Sequence, residues 1–444
     1  MNQAQQWVAS GQQNSLLESQ PGHSTVTFSR KIQTDSHIET VTEKPHEDKI
    51  SETNGSIKLT NWITKEFILK ELREYTPPKI NATADLKKQL DKYKPVDFGH
   101  NLNVKPPAQS DFIKSLKNPC WKVDATLHCL PYFYLLGFPK SGTTDLWTRI
   151  SRHPQQAWKA DNWQSGDAWH NKEVQWWTWF RFSGSTQLDA RHTEGRLLNT
   201  YTRRFKEQLF KKNSSMSSNI ITGDGSVSLI YDVSFHSRSV VPAKVSTNKP
   251  ITAPDLTIAS LIRLYTPQSK FIIIMRDPVD AMYSHYQYWP RGRARSPANF
   301  HHRVVQVLSM YTDCFKRYSI RACAYDPNLL EESDRQGVRL YHVLYVVYLS
   351  DWFKVFPREQ FLIARTEDYD KDVNGHMEKI FKFLDISVLK NDTMSKISGP
   401  AHMNVRNNTP YLKETLELFQ NFIKPFNDAL ADLLGDQRFA WNRS

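Results

Sequence analysis

The sequence predicts an α/β fold, a central parallel sheet flanked by helices, and three features carry that prediction. Short apolar runs of strand type alternate with helical patterns along residues 111–444, the order that builds parallel sheets through helical crossovers. One run, Phe271-Ile272-Ile273-Ile274-Met275, is apolar throughout, as a strand covered on both faces must be. Another, Tyr132-Phe133-Tyr134-Leu135-Leu136-Gly137, breaks into Phe138-Pro139-Lys140-Ser141-Gly142-Thr143-Thr144, a small lysine-bearing turn that restarts as a helix.

That turn reads as a strand end, an anion cradle and a helix start. The first N–H groups of a helix lack intrahelical partners and carry partial positive charge, so they bind phosphate or sulfate, and Lys140 adds a full charge beside them. Leu146, Trp147 and Ile150 share the inward face of the helix that follows, and His153-Pro154 ends it. Ile220-Ile221-Thr222 reads as a short second strand, the Phe271 run as a third, and Phe361-Leu362-Ile363-Ala364 as a fourth, with a helix over residues 376–384 behind it. The run Leu340-Tyr341-His342-Val343-Leu344-Tyr345-Val346-Val347-Tyr348-Leu349 is too short to cross a membrane and is closed by Ser350 and Asp351, which makes it a buried helix. In open parallel sheets ligands sit beyond the carboxyl ends of the strands. Chemistry is therefore expected at the ends of the first and third runs.

The third run leads into Arg276-Asp277-Pro278-Val279-Asp280, then Ser284. Asp277 suits a helix N-cap, Pro278 the first helical position and Asp280 the positive end of the helix, all structural roles. Arg276 and Ser284 are not explained that way. A guanidinium fork and a hydroxyl within two turns of a helix start suit a second phosphate. Two such sites imply a nucleotide bearing phosphates at both ends. Neither is a Walker motif, because Lys140 precedes Gly142 where that motif has its lysine after the second glycine. Kinase and nucleotide triphosphatase chemistry is disfavoured accordingly.

The chain has 444 residues, 39% of them hydrophobic and 12% aromatic, enough for one large core or two modest ones, a choice that length alone does not decide. Residues 1–57, rich in Gln, Ser, Thr, Glu and His, read as a disordered polar tail or stem. Residues 58–110 continue the stem with short helices, one over 62–75 stopped by Pro77 and Pro78 and another near 86–93, and residues 111–444 form the catalytic domain. The net charge of +12 favours a polyanionic partner: nucleic acid, anionic glycan or acidic membrane. Cysteines fall in two close pairs, Cys120 with Cys129 and Cys314 with Cys323, a disulfide spacing wider than a zinc or redox Cys-x-x-Cys. Six Asn-x-Ser/Thr tripeptides start at Asn54, Asn81, Asn213, Asn391, Asn407 and Asn442. With the paired cysteines they favour the secretory pathway. Against this, the amino end Met1-Asn2-Gln3-Ala4-Gln5-Gln6-Trp7 shows neither a basic n-region nor an apolar h-region.

Pro139-Lys140-Ser141-Gly142-Thr143-Thr144 resembles the 5′-phosphosulfate loop of sulfotransferases, and Arg276 with Ser284 resembles their 3′-phosphate site. The resemblance implies a P-loop-like sulfotransferase fold and 3′-phosphoadenosine 5′-phosphosulfate as donor, with no metal required. The flanks, Asn118-Pro119-Cys120-Trp121, Cys129-Leu130-Pro131-Tyr132-Phe133-Tyr134 and Lys140-Ser141-Gly142-Thr143-Thr144-Asp145-Leu146, resemble the Golgi glycosaminoglycan sulfotransferases. Within that family they are most similar to the branch that adds 6-O-sulfate to N-acetylgalactosamine 4-sulfate in chondroitin. The likeness runs from about residue 118 to the carboxyl end and covers none of the polar tail. It implies a chondroitin or dermatan sulfate acceptor, no nucleic acid partner, a Golgi lumen location with secretion as the alternative, and a membrane anchor that is not visible in this sequence.

Residue by residue, Lys172-Glu173-Val174-Gln175-Trp176-Trp177 is similar to the segment that carries the family's glutamate base. By itself Glu173 would read as a solvated partner of Lys172; by resemblance it is the base. Lys140 falls at the bridging oxygen of the donor, where leaving-group charge develops. Lys172 and His170 are further candidates for the same pocket. Where related heparan sulfate enzymes have a Glu-Lys pair after the second strand, this chain has Asp224-Gly225, which leaves that lysine's role unfilled or supplied by another residue. Their Lys-Gly-Arg loop over the donor is matched by Asn404-Val405-Arg406, of which only Arg406 carries over. Trp158, Trp163, Trp169, Trp176, Trp177 and Trp179 are candidates for stacking on sugars or for the core, and Arg291, Arg293 and Arg295 for polyanion contact or a solvated loop. The alternatives are a heparan sulfate sulfotransferase, a cytosolic-type sulfotransferase acting on small phenols or alcohols, and a non-catalytic polyanion-binding protein.

Overall fold

The computed structural model describes residues 62–80, 85, 88, 106–157, 172–180, 198–210, 218–231, 251–288, 296–399 and 410–442. They belong to one compact unit, Ile57–Ser444. The tail, and the helix expected near residues 86–93, lie outside the described residues save for Lys88.

An antiparallel hairpin leads into the sheet. Strands β1 (Cys120–Val123) and β2 (Thr126–Cys129) pair with Cys120 opposite Cys129, and a disulfide joins those two residues. The turn uses Asp124 and Ala125, both at positive φ (46° and 65°), as a two-residue hairpin loop requires. Nothing in the sequence marks this hairpin, because neither turn residue is the glycine or asparagine that normally does so.

The main sheet contains β3 (Phe133–Gly137), β4 (Gly223–Asp224), β5 (Lys270–Met275) and β6 (Phe361–Arg365) in the order β4-β3-β5-β6, all parallel. Phe271 to Met275 are fully buried, as their unbroken apolar pattern demands. The second strand is displaced from its expected place. Ile221 makes an isolated bridge to Gln156, and pairing with β3 begins at Gly223. The Phe133 ring lies across this glycine; a Cβ there would meet Phe133 Cζ at 2.3 Å. The expected helix around Leu340 also starts later, as a 3-10 turn Leu340–His342 followed by helix Tyr345–Val355.

Helix α1 (Lys65–Glu74) falls in the segment read as stem, yet it is packed on the compact unit. Thr64 caps it by accepting the Phe67 N–H at 3.2 Å, and Ile68 and Leu72 are buried. Glu71 accepts the Ile320 N–H at 2.7 Å, and Lys65 pairs with Asp432 at 3.0 Å. Tyr75 lies against the Arg321 guanidinium, 3.4 Å from ring centre to Cζ, and Arg321 pairs with Asp351 at 2.8 Å with both side chains buried. The disulfide Cys314–Cys323 ties the short helix carrying Arg321, Ile320–Ala324, to helix Pro297–Phe315. The tie is thus made of single contacts to partners far along the chain, too scattered a pattern to stand out in a polar sequence.

Removing one partner of a buried ion pair leaves the other charge uncompensated. Asp351→Ala is expected to lower the unfolding free energy by roughly 3 kcal/mol, read from urea titration. A midpoint unchanged from the parent would show that Arg321 is not held by that pair.

Candidate active site

The site begins where β3 ends. Gly142, at φ 85°, is the N-cap of helix α2 (Thr143–Ser151), and Lys140 also has positive φ (63°). A Cβ on Gly142 would approach nothing closer than 3.8 Å, so glycine is needed there for backbone conformation and not for space. The loop is pinned from below by Thr366. Its hydroxyl lies 2.8 Å from the Ser141 carbonyl and 3.1 Å from the Met275 carbonyl, tying the loop to the end of β5. Thr143 is buried and Thr144 partly so at the helix start.

Helix α2 is anchored by a buried network. Arg149 Nε donates to Asp145 Oδ2 at 2.7 Å, and the Tyr369 hydroxyl donates to the same oxygen at 2.6 Å. Burial, with Asp145 beside it, holds the Tyr369 phenol well above its ordinary range. Arg149 Nη1 donates to the Ile397 carbonyl at 2.6 Å and the Gly399 carbonyl at 3.0 Å, at the end of helix α3 (Asn391–Ser398).

Lys172 and Glu173 sit beside the loop. Their side chains are 1% and 5% exposed and pair at 2.7 Å, so Glu173 is not the solvated surface acid its local sequence suggests. Lys172 Nζ also donates to Thr143 Oγ1 at 3.3 Å, at the first turn of α2. Room for that lysine comes from Gly225, where a Cβ would meet Lys172 Cγ at 2.9 Å and Trp147 Cε3 at 2.9 Å. The stem of Lys172 thus lies where a side chain at position 225 would go. The neighbouring Asp224 is fully buried and accepts from Tyr201 Oη at 2.6 Å and from Ser226 N and Oγ at 2.9 and 2.5 Å. Burial pushes its carboxyl pKa up, and those hydrogen bonds oppose the shift.

The second half of the site follows β5. Arg276 is partly buried at the strand exit, and its carbonyl accepts from Tyr345 Oη at 3.0 Å. Asp277 Oδ1 accepts the Val279 N–H at 2.9 Å at the start of helix Pro278–Tyr288, as its capping role requires, and Ser284 is partly buried on that helix. One turn beyond Ser284, the Tyr288 ring centre lies 3.9 Å from Lys140 Nζ. This cation–π contact brings the lysine-bearing loop and the Arg276/Ser284 helix together. Tyr288 was missed in the sequence, although its i+4 spacing from Ser284 puts both on one helix face.

Other candidates separate. Trp176 and Trp177 are 3% and 0% exposed and pack on Tyr201 with centroids 5.0 and 5.9 Å away, so they belong to the core and not to a sugar-stacking surface. His170, Arg406, Arg291, Arg293, Arg295, Trp158, Trp163, Trp169 and the side chain of Trp179 lie outside the described residues. Of the sequon asparagines, Asn391 and Asn442 are exposed, while Asn54, Asn81, Asn213 and Asn407 lie outside the described residues. Among the described residues no group of three or more His, Cys, Asp or Glu side chains could hold a metal ion, and no helix is long and apolar enough to cross a membrane.

The strand–loop–helix turn after β3 and the Arg276-bearing exit of β5 are thus brought together through Lys140 and Tyr288. Residues 131–422 match the sulfotransferase domain family, and the chain belongs to it. Carbohydrate sulfotransferase 15 of Homo sapiens is 33% identical over 330 residues, 71% of this chain and 55% of that protein. Carbohydrate sulfotransferase 15 of Nototodarus sloanii is 39% identical over 137 residues, 30% of this chain and 84% of that protein. The chain thus spans about half the length of the human relative. A solved sulfotransferase from Alicyclobacillus acidocaldarius aligns with 71% of this chain and 99% of its own at 19% identity, with a TM-score of 0.43.

Because Gly142 has space but a left-handed backbone, Gly142→Ala is expected to cost about 1 kcal/mol of stability. Urea unfolding measures it, and an unaltered midpoint would contradict a fixed positive φ at this loop.

Proposed function

We propose that this chain transfers a sulfuryl group from 3′-phosphoadenosine 5′-phosphosulfate to a glycosaminoglycan hydroxyl, the 6-hydroxyl of N-acetylgalactosamine 4-sulfate in chondroitin or dermatan sulfate. The observation that carries the reading is the position of Lys172. Its amino group is 2.7 Å from Glu173 Oε1 and 3.3 Å from Thr143 Oγ1, which sets a carboxylate at the edge of an anion-binding helix start. The residues present fit the donor: Lys140, Ser141, Gly142, Thr143 and Thr144 suit its phosphosulfate end, Arg276 and Ser284 its 3′-phosphate, and the Lys140–Tyr288 contact spans the two.

In this scheme Glu173 takes the proton of the acceptor hydroxyl as that oxygen bonds to sulfur. The bond from sulfur to the bridging oxygen breaks, and its electrons stay with the departing adenosine 3′,5′-bisphosphate. Lys140 neutralises the charge growing on that oxygen. Lys172, held between the base and the loop, meets the sulfuryl oxygens and so serves where the heparan sulfate enzymes use the lysine that Gly225 replaces here. His170 and Arg406 are assigned to the pocket by resemblance alone. The acceptor assignment rests on the likeness to carbohydrate sulfotransferase 15. Residues 111–444, with α1 docked on them, are assigned as the catalytic domain, and residues 1–57 as the polar tail or stem. A Golgi lumen location is supported by the two disulfides and the exposed Asn391 and Asn442.

Incubation with labelled donor and separate chondroitin, dermatan and heparan acceptors, followed by disaccharide analysis, tests this reading. Label is expected in 4,6-disulfated N-acetylgalactosamine; label only on heparan overturns the acceptor, and label on no glycan overturns the activity. Glu173→Gln should lower kcat by about 10²- to 10⁴-fold while adenosine 3′,5′-bisphosphate still binds. Lys140→Ala should abolish donor use, and transfer surviving that change would remove the loop from the mechanism.

A further inference from the structure

The Glu173 carboxylate has a second partner. Gln175 Nε2 donates to Glu173 Oε2 at 3.1 Å while Lys172 holds Oε1. Gln175 is 5% exposed and has φ 51°, a left-handed conformation that a non-glycine residue keeps only where its surroundings hold it. The restraint is visible in three bonds. The Gln175 N–H donates to Ser226 Oγ at 2.7 Å, Gly225 N donates to the Lys172 carbonyl at 2.8 Å, and Ser228 Oγ donates to Thr178 Oγ1 at 3.2 Å. The base-bearing segment is thereby stitched to the segment that leaves β4. Ser226 is in turn held by Asp224 Oδ1 through both its N–H and its hydroxyl, and Asp224 by Tyr201. Glu173, Gln175, Ser226 and Asp224 are all at least nine-tenths buried.

We propose that Gln175 is a positioning residue for the base, and that the Asp224–Ser226 pair fixes Gln175 in turn. This rests on the reading of Glu173 as the base. Lys172 is shared between Glu173 and Thr143, so an arriving sulfuryl group competes for it. When Lys172 turns toward that group, its hold on Oε1 weakens, and the amide of Gln175 keeps the carboxylate aimed at the acceptor. A neutral donor suits the task, since it orients the carboxylate without adding a second cation that would make it a poorer base. Among the described residues, the charged groups placed near the carboxylate include Lys172 directly and, beyond Ser226, Asp224 with Arg204 near it.

The test uses the full chain and three variants, Gln175→Ala, Gln175→Glu and Glu173→Gln, with kcat, KM for donor and acceptor, the pH profile of kcat and adenosine 3′,5′-bisphosphate binding as readouts. Gln175→Ala is expected to lower kcat roughly ten- to a hundredfold with the donor KM little changed, as a misaimed catalytic group does. Gln175→Glu sets a second carboxylate against the first and should move the acid limb of the profile to higher pH. Unchanged kcat in Gln175→Ala, bisphosphate binding lost in step with activity, or an unmoved acid limb in Gln175→Glu would each overturn the proposal. Full activity in Glu173→Gln would instead overturn the base assignment. Inactive Glu173→Gln beside parent-like Gln175 variants would overturn only the positioning role.

Discussion

The buried pair of Lys172 and Glu173 is the constraint around which the site is built. Withdrawing two charges from water costs several kcal/mol per ion, and their attraction repays that only with close geometry and further hydrogen bonds. Both conditions hold here. The ions meet at 2.7 Å, Thr143 takes up the lysine, and Gln175 takes up the second carboxylate oxygen. Each supporting residue is itself fixed by the backbone of another element: Thr143 by the start of α2, Gln175 by Ser226, and the lysine stem by the absence of a side chain at Gly225. The pair therefore joins the strand–loop–helix at β3 to the chain leaving β4.

The parallel sheet makes the remaining geometry. Strands β3 and β5 are neighbours, so the loop after one and the helix after the other open on the same edge, and Lys140 can reach Tyr288. The same adjacency lets Thr366 touch both the loop and the end of β5. Beneath the loop, Arg149 links α2 to the end of α3 at Gly399 through two carbonyls.

Much of this was legible in the sequence because it is local chemistry. Apolar continuity from Phe271 to Met275 announces a buried strand, Asp277-Pro278 announces a helix start, and cysteines nine residues apart announce disulfides. The hairpin at Asp124-Ala125 was not legible, because its positive φ values are imposed on residues that do not prefer them. Nor was the docking of α1, which rests on partners such as Ile320 and Arg321 far along the chain. For Trp176 and Trp177 the sequence left sugar stacking and core packing both open; their burial against Tyr201 gives them to the core.

By itself, then, the sequence determined the parallel α/β class, the glycine-bearing turn that starts a helix after the first strand, the helix start at Asp277-Pro278 and the cysteine pairing, since these rest on patterns that run along the chain itself. Only the tertiary structure decided that Glu173 is a buried ion-paired carboxylate, that Lys172 fills the space left by Gly225, and that Tyr288 meets Lys140. The reason is physical. Burial, ion pairing and close approach depend on which distant segments the sheet sets side by side, and no periodicity along the chain records that adjacency.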